Sequence, residues 1–359
     1  MELTTTAANC LRGWALHFAG LVALLLQGGC GVHYVARSAV FQAELLTSGE
    51  PAERVLASGT LSAGQEQRLR LFAEVKAFGA RIGLKSTHNY DQYAIRWHRR
   101  IWNLSAAPPL SLSPRTWWFP IVGKVPYLGF FTDEDVASWR GRLEAEGYEV
   151  HVREVGAYST LGWFRDPVLP AMLRWDEPRI AETVCHELAH ATLWIPGSVS
   201  FNESFASVVG EAAGDRFLVE KYGEGSDEVR RARDANHDSD VFVAVLVQLT
   251  AELDAVYTSA RPDAERHAAR AALLASLPER VAAADLRERE AWLRYVASQT
   301  WNNARLSQFR TYNTRHADFR RILDGHGGEL GPFIEDIRTR TRGARDPFAT
   351  LAAPARPKP

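Results

Sequence analysis

Residues 176–207 decide the fold: Asp176-Glu177-Pro178 opens the stretch, His186-Glu187-Leu188-Ala189-His190 lies inside it, and Phe201-Asn202-Glu203-Ser204-Phe205-Ala206-Ser207 closes it. Asp176 is placed to cap a helix with Glu177 and Pro178 in the first turn, and Ile180, Val184, Leu188 and Leu193 follow at helical spacing. On such a helix His186 and His190 share one face and can grip a single cation, with Glu187 beside it as a candidate general base. Trp194-Ile195-Pro196-Gly197-Ser198 ends the helix, and the next apolar-periodic helix can pack back against the first. Glu203 is then the natural third ligand. Glu211, two turns further on, is a rival for that place or an orienting partner for a histidine. Cys185 is turned about 100 degrees from His186 around the helix and reads as core.

Two imidazoles and one carboxylate suit a catalytic zinc ion, which keeps a fourth place for water. The expected cofactor is one Zn2+ on His186, His190 and Glu203. Glu187 would take the proton of the attacking water, and a further donor is needed for the negative charge that develops on the attacked carbonyl. Tyr312, in Tyr312-Asn313-Thr314-Arg315-His316, is the first candidate, with Tyr158 and Tyr257 behind it.

The His-Glu-x-x-His helix followed by Asn-Glu-x-Phe-Ala resembles the gluzincin metallopeptidases, although the gap between His190 and Glu203 is shorter than in the best-known members. A longer resemblance is to the bacterial putative aminopeptidase family of lipoproteins. It is carried by Tyr158 to Phe164, Asp166-Pro167, the two motifs above, Thr116 to Pro120, Pro126-Tyr127 and Asn302 to Leu306, and spans roughly residues 20 to 340. It implies a zinc-dependent hydrolase acting on peptides. Trp118 and Lys124 stand where the family pattern has cysteines, so the disulfide it implies for that hairpin is absent here. The Gly-x-Met-Glu-Asn signature by which gluzincin aminopeptidases hold an amino terminus is also missing, Gly156-Ala157-Tyr158 being the nearest string. An endopeptidase therefore stays open, as does an envelope lipoprotein that binds metal or a protein partner without turnover.

The chain of 359 residues is 46% hydrophobic with a net charge of −1, enough for a substantial core and without the basic footprint of a nucleic-acid binder. The cluster Arg230-Arg231-Ala232-Arg233 is answered by Asp227, Glu228, Asp234 and Asp238, so it reads as a solvated helix face. Arg12, the apolar run Trp14 to Leu26 and Gln27-Gly28-Gly29-Cys30 read as an export signal ending in a lipobox. A lipid on Cys30 would tether the protein to a membrane facing the periplasm, and Gly31 after it favours the outer membrane; an uncleaved anchor helix is the alternative. After export only Cys185 remains in the folded part, so no internal disulfide is expected.

The expected class is α+β and predominantly helical, a small mixed sheet lying beside the metal-binding helix pair. The layout is a signal peptide at 1–29, a helical layer at 30–89, a core at 90–222 carrying both motifs, long helices at 223–343 and a disordered tail at 344–359. Within the core, a hairpin is expected around Gly123-Lys124, and Tyr148 to Val155 alternates as a half-buried strand. Gly156 to Trp163, just after that strand, is the candidate edge for an extended substrate.

Overall fold

The computed structural model describes residues 29–119, 123–156 and 165–352. The chain forms two compact units that meet in sequence between Thr47 and Ser48. The described part of the first is one helix, α1 (Gly29–Thr47). The second begins with β1 (Glu50–Pro51), α2 (Ala52–Ala57), α3 (Ala63–Arg81), β2 (Gln92–Tyr93), β3 (Ile101–Ala107), β4 (Trp117–Phe119), β5 (Gly123–Val125) and β6 (Leu128–Phe130). It continues through α4 (Asp133–Ala145), β7 (Glu149–Val155), α5 (Glu177–Thr192), α6 (Val199–Tyr222), α7 (Asp227–Tyr257) and α8 (Asp263–Ala275). It ends with α9 (Leu277–Ala283), α10 (Arg289–Ala297), α11 (Asn303–Asn313), α12 (His316–Gly325) and α13 (Leu330–Thr341). Among the described residues no helix is long and apolar enough to cross a membrane.

The predominantly helical α+β class holds, with a difference in the sheets: the strands form three small antiparallel sheets rather than one mixed sheet. The parallel element is a single bridge, Tyr93 to Val168. Short strands linked by hairpins pair antiparallel, whereas a parallel ladder needs a long crossover. In the three-stranded sheet β3 lies between β6 and β7, so β7 is an edge strand.

The face of β7 that alternates as polar is not solvated. Asn103, Ser105 and Ala107 of β3 stand opposite Arg153, His151 and Glu149, and α11 covers that face. Gln308 donates to Asn103 (2.7 Å), Ser105 to the Ala304 carbonyl (3.2 Å), and the Asn303 backbone N–H to Glu149 (2.7 Å).

The hairpin expected around Gly123-Lys124 is present: β4 pairs antiparallel with β5, which carries both residues, with Lys124 opposite Trp118. The two positions at which the resemblance implies cysteines are therefore cross-strand neighbours. Two other expectations are corrected. The C-terminal region holds one long helix, α7, followed by shorter ones, because Pro262, Pro278 and the turn Gly327-Gly328 interrupt it. The tail is ordered as far as it is described: Phe348 stacks edge-on against Phe201 at 5.2 Å and Leu351 is fully buried. Arg315 and Arg321 also donate to the carbonyls of Phe348 and Leu351.

Candidate metal centre

α5 starts as its sequence dictates, the Asp176 side chain accepting from the Arg179 backbone N–H at 3.1 Å with Pro178 in the first turn. Its apolar face (Ile180, Val184, Leu188) is buried and Cys185 is fully enclosed, where burial pushes the thiol up to about 12. α6 is buried around most of its circumference: every residue from Phe201 to Ala206 is buried. Phe201 and Phe205 anchor its front end on Phe319 and Phe333, with ring centroids 5.0 to 6.1 Å apart.

Two local devices set the two helices against each other. Asn202 closes the connecting loop, its side chain accepting from the Ile195 N–H at 2.9 Å and donating to the Ile195 carbonyl at 2.8 Å. Gly210 lets the backbones touch, since a Cβ there would lie 2.8 Å from the Glu182 carbonyl oxygen and 3.1 Å from the His186 Cβ.

The result is a buried three-donor cluster. His186 Nε2 and His190 Nε2 each lie 3.4 Å from Glu203 Oε2, and the ligand atoms of all three residues fall within 4.8 Å of one another. The two imidazole planes stand at 88° with centroids 4.7 Å apart. Metal–ligand bonds of about 2.0–2.2 Å at tetrahedral angles separate neighbouring donors by about 3.4 Å. The donor set and its spacing thus fit a zinc-sized cation. Trp194 packs edge-on against His190 at 5.4 Å.

The three donors act strongly on one another. Burial alone would raise Glu203, but the two histidines hold its carboxyl well below the usual range. Burial would lower His186, yet its hydrogen bond to Glu203 and the fields of Glu187, Glu203 and Glu182 raise it. A proton or a metal ion could answer the same lone pairs. One turn before His186, burial and then the neighbouring Glu211 carboxylate push Glu182 up to about 7.

Glu187 Oε2 and His190 Nδ1 are buried and lack a hydrogen-bond partner. Tyr312, near the end of α11, is held by Ser204, whose hydroxyl donates to the Tyr312 carbonyl at 3.2 Å. Burial, then the negative charge of Glu203, push the Tyr312 hydroxyl up, Glu187 adds to this, and Arg153 only partly offsets it.

The other sequence candidates fall elsewhere. Glu211 is engaged by Arg320 at 2.6 Å and lies 3.7 Å from His316. Tyr257 donates to Asn303 at 2.7 Å in a separate buried network. Tyr158 and most of the candidate substrate edge, residues 157–163, lie outside the described residues.

The sequence reading missed Tyr127, whose hydroxyl donates to Glu203 Oε1 at 3.2 Å. It comes from the stretch between β5 and β6, where the Gly123 backbone meets Gly197 of the interhelical loop: a Cβ on Gly123 would lie 3.1 Å from the Gly197 nitrogen. The only signal for it was Pro126-Tyr127 within the family resemblance. Arg153, whose Nη2 donates to the Tyr312 hydroxyl at 3.5 Å, was also not singled out, the stretch around it being read only as a half-buried strand.

A two-helix cradle presenting two imidazoles and a carboxylate, with a second carboxylate alongside, defines a candidate mononuclear metal site. The chain matches the model of the family described as Putative aminopeptidase over residues 33–346 and belongs to that family. No curated protein and no solved structure matches it. The family's description makes it a peptidase at the coarse level.

Proposed function

We propose that the protein is a zinc-dependent peptidase in which His186, His190 and Glu203 hold one ion and Glu187 is the general base. The observation that carries this reading is the pair of 3.4 Å approaches of two imidazole nitrogens to one buried carboxylate oxygen. When bound, the ion would polarise the substrate carbonyl and bring the pKa of a water toward neutrality. Glu187 Oε2, buried and unpartnered, is suited to accept the water's proton and return it to the leaving amine. Tyr312 keeps its proton at neutral pH, so it can donate to the oxygen on which negative charge develops. Tyr127 commits its proton to Glu203 and orients that ligand.

The test is Glu187→Gln in purified protein lacking the export segment. Metal analysis should find one zinc per chain in both proteins, while turnover of a peptide library falls by about 10²–10⁴-fold in the variant. Unchanged turnover, or no zinc in either protein, sinks the proposal. Export and a lipid on Cys30, with the outer membrane as destination, belong to the same reading, supported by the apolar run Trp14 to Leu26 and the small residues before Cys30. Loss of radiolabelled fatty-acid incorporation in Cys30→Ser checks it.

A further inference from the structure

We propose that Arg153 makes this site select peptides bearing a free carboxylate next to the bond that is cut. The carboxylate is either the α-carboxylate of a C-terminal residue or an acidic side chain. The inference deepens the peptidase reading and rests on it.

Arg153 sits on the edge strand β7, half-buried, and its Nη2 donates to the Tyr312 hydroxyl at 3.5 Å, with the guanidinium carbon 5.9 Å from the ring. Among the described residues this one long hydrogen bond leaves most of its five donors without use. Arg115, Arg270, Arg280 and Arg340, also half-buried or buried, each meet a carboxylate and half-buried Arg68 meets two backbone carbonyls, whereas Arg153 meets neither among the described residues. Arg305, beside the same strand, is likewise bound to neutral partners, Gln299 and Tyr295.

The charged groups that act on the Tyr312 hydroxyl are Glu203, Arg153 and Glu187. With Glu203 committed to the cation and Glu187 to proton transfer, the one of these three left to meet a substrate is Arg153. On the same face of β7, the carboxylate of Glu149 is taken up by Arg270 and the Asn303 backbone, so it is not free to hold an amino terminus. A guanidinium fork with open donors matches a carboxylate in charge and in shape.

The zinc-loaded protein and its Arg153→Met and Arg153→Lys variants are assayed on three matched peptide series: free C-terminus, amidated C-terminus, and amidated with Asp or Glu beside the scissile bond. Arg153→Met should lower kcat/KM on one or both carboxylate-bearing series about 30-fold more than on the neutral amidated series, mainly through KM, any smaller loss on the neutral series reporting the bond to Tyr312. Arg153→Lys should recover part of the loss. Whichever series is affected identifies the source of the carboxylate. An equal loss on all three, as expected if Arg153 only steadies Tyr312, overturns the inference. The same peptides are titrated calorimetrically into zinc-loaded Glu187→Gln protein with and without Arg153→Met. Equal affinity for free and amidated peptides overturns the inference, while Arg153-dependent selectivity without cleavage by the wild type overturns only the peptidase reading.

Discussion

Glu203 divides its two oxygens: Oε2 faces both imidazoles at 3.4 Å and Oε1 accepts the Tyr127 hydroxyl at 3.2 Å. A ligand carboxylate anchored on its far side loses less freedom when it binds, and losing such an outer partner costs about 10–100-fold in metal affinity. Tyr127→Phe should therefore weaken zinc binding by that factor in a competition titration with a chromophoric chelator while leaving the far-ultraviolet circular dichroism intact. An unchanged affinity would remove Tyr127 from the site. His186, Glu187 and His190 could be read from the sequence because a spacing of four is itself a geometric statement on a helix. Tyr127 could not, because it arrives from an irregular strand connection whose position depends on backbone contact with a distant loop. Arg153 was passed over for a related reason: alternation identifies the two faces of a strand but does not say that α11 covers the polar one.

At the scale of elements, the helix pair was legible because caps, apolar period and breaker agreed: Asp176, Ile180 to Leu188, and Pro196-Gly197 each do in the structure what their chemistry implies. The sequence did not reveal how closely the helices approach, which depends on Gly210. Replacing a helix-interior glycine by alanine ordinarily stabilises by up to about 1 kcal/mol. Here the added methyl would press on backbone, the Glu182 carbonyl at 2.8 Å, and overpacking of this kind costs about 1–3 kcal/mol. The second effect wins, so Gly210→Ala should lower stability by about 1–2 kcal/mol in denaturant melts. It should also weaken zinc binding, since His186 lies under the same contact. A stabilised variant with normal zinc affinity would show that the helices do not cross at this point. The tail was misjudged for the opposite reason: prolines were counted, but Phe348 and Leu351 had no visible partner until α6 and α12 enclosed them.

Across the whole molecule, residues 48–359 form one unit, and the boundaries read from composition at 89/90 and 222/223 fall inside it because α3 packs on α5 and α11 packs on β3 and β7. The α11–β7 contact gives the unit a pH dependence. Burial, then Arg305 and Arg153, push the His151 imidazole down to about 4 from its usual 6.5. Between those values the unfolded chain binds a proton that the folded chain refuses, so stability is complete above pH 6.5 and is lost as pH falls toward 4. The fully developed effect is at most about 3 kcal/mol, and nearer 1 after allowing for the ring's partial exposure. His316 is shifted the same way, chiefly by burial, while His186 opposes both in metal-free protein because its pKa is raised. His151→Gln isolates one contribution among these. With chelator present to remove metal, the wild type's melting temperature should fall by about 2 °C more than the variant's between pH 7 and pH 5. Parallel curves would mean that His151 takes up its proton as readily in the folded protein as in the unfolded chain, and that the positive field assigned to Arg153 and Arg305 does not reach it.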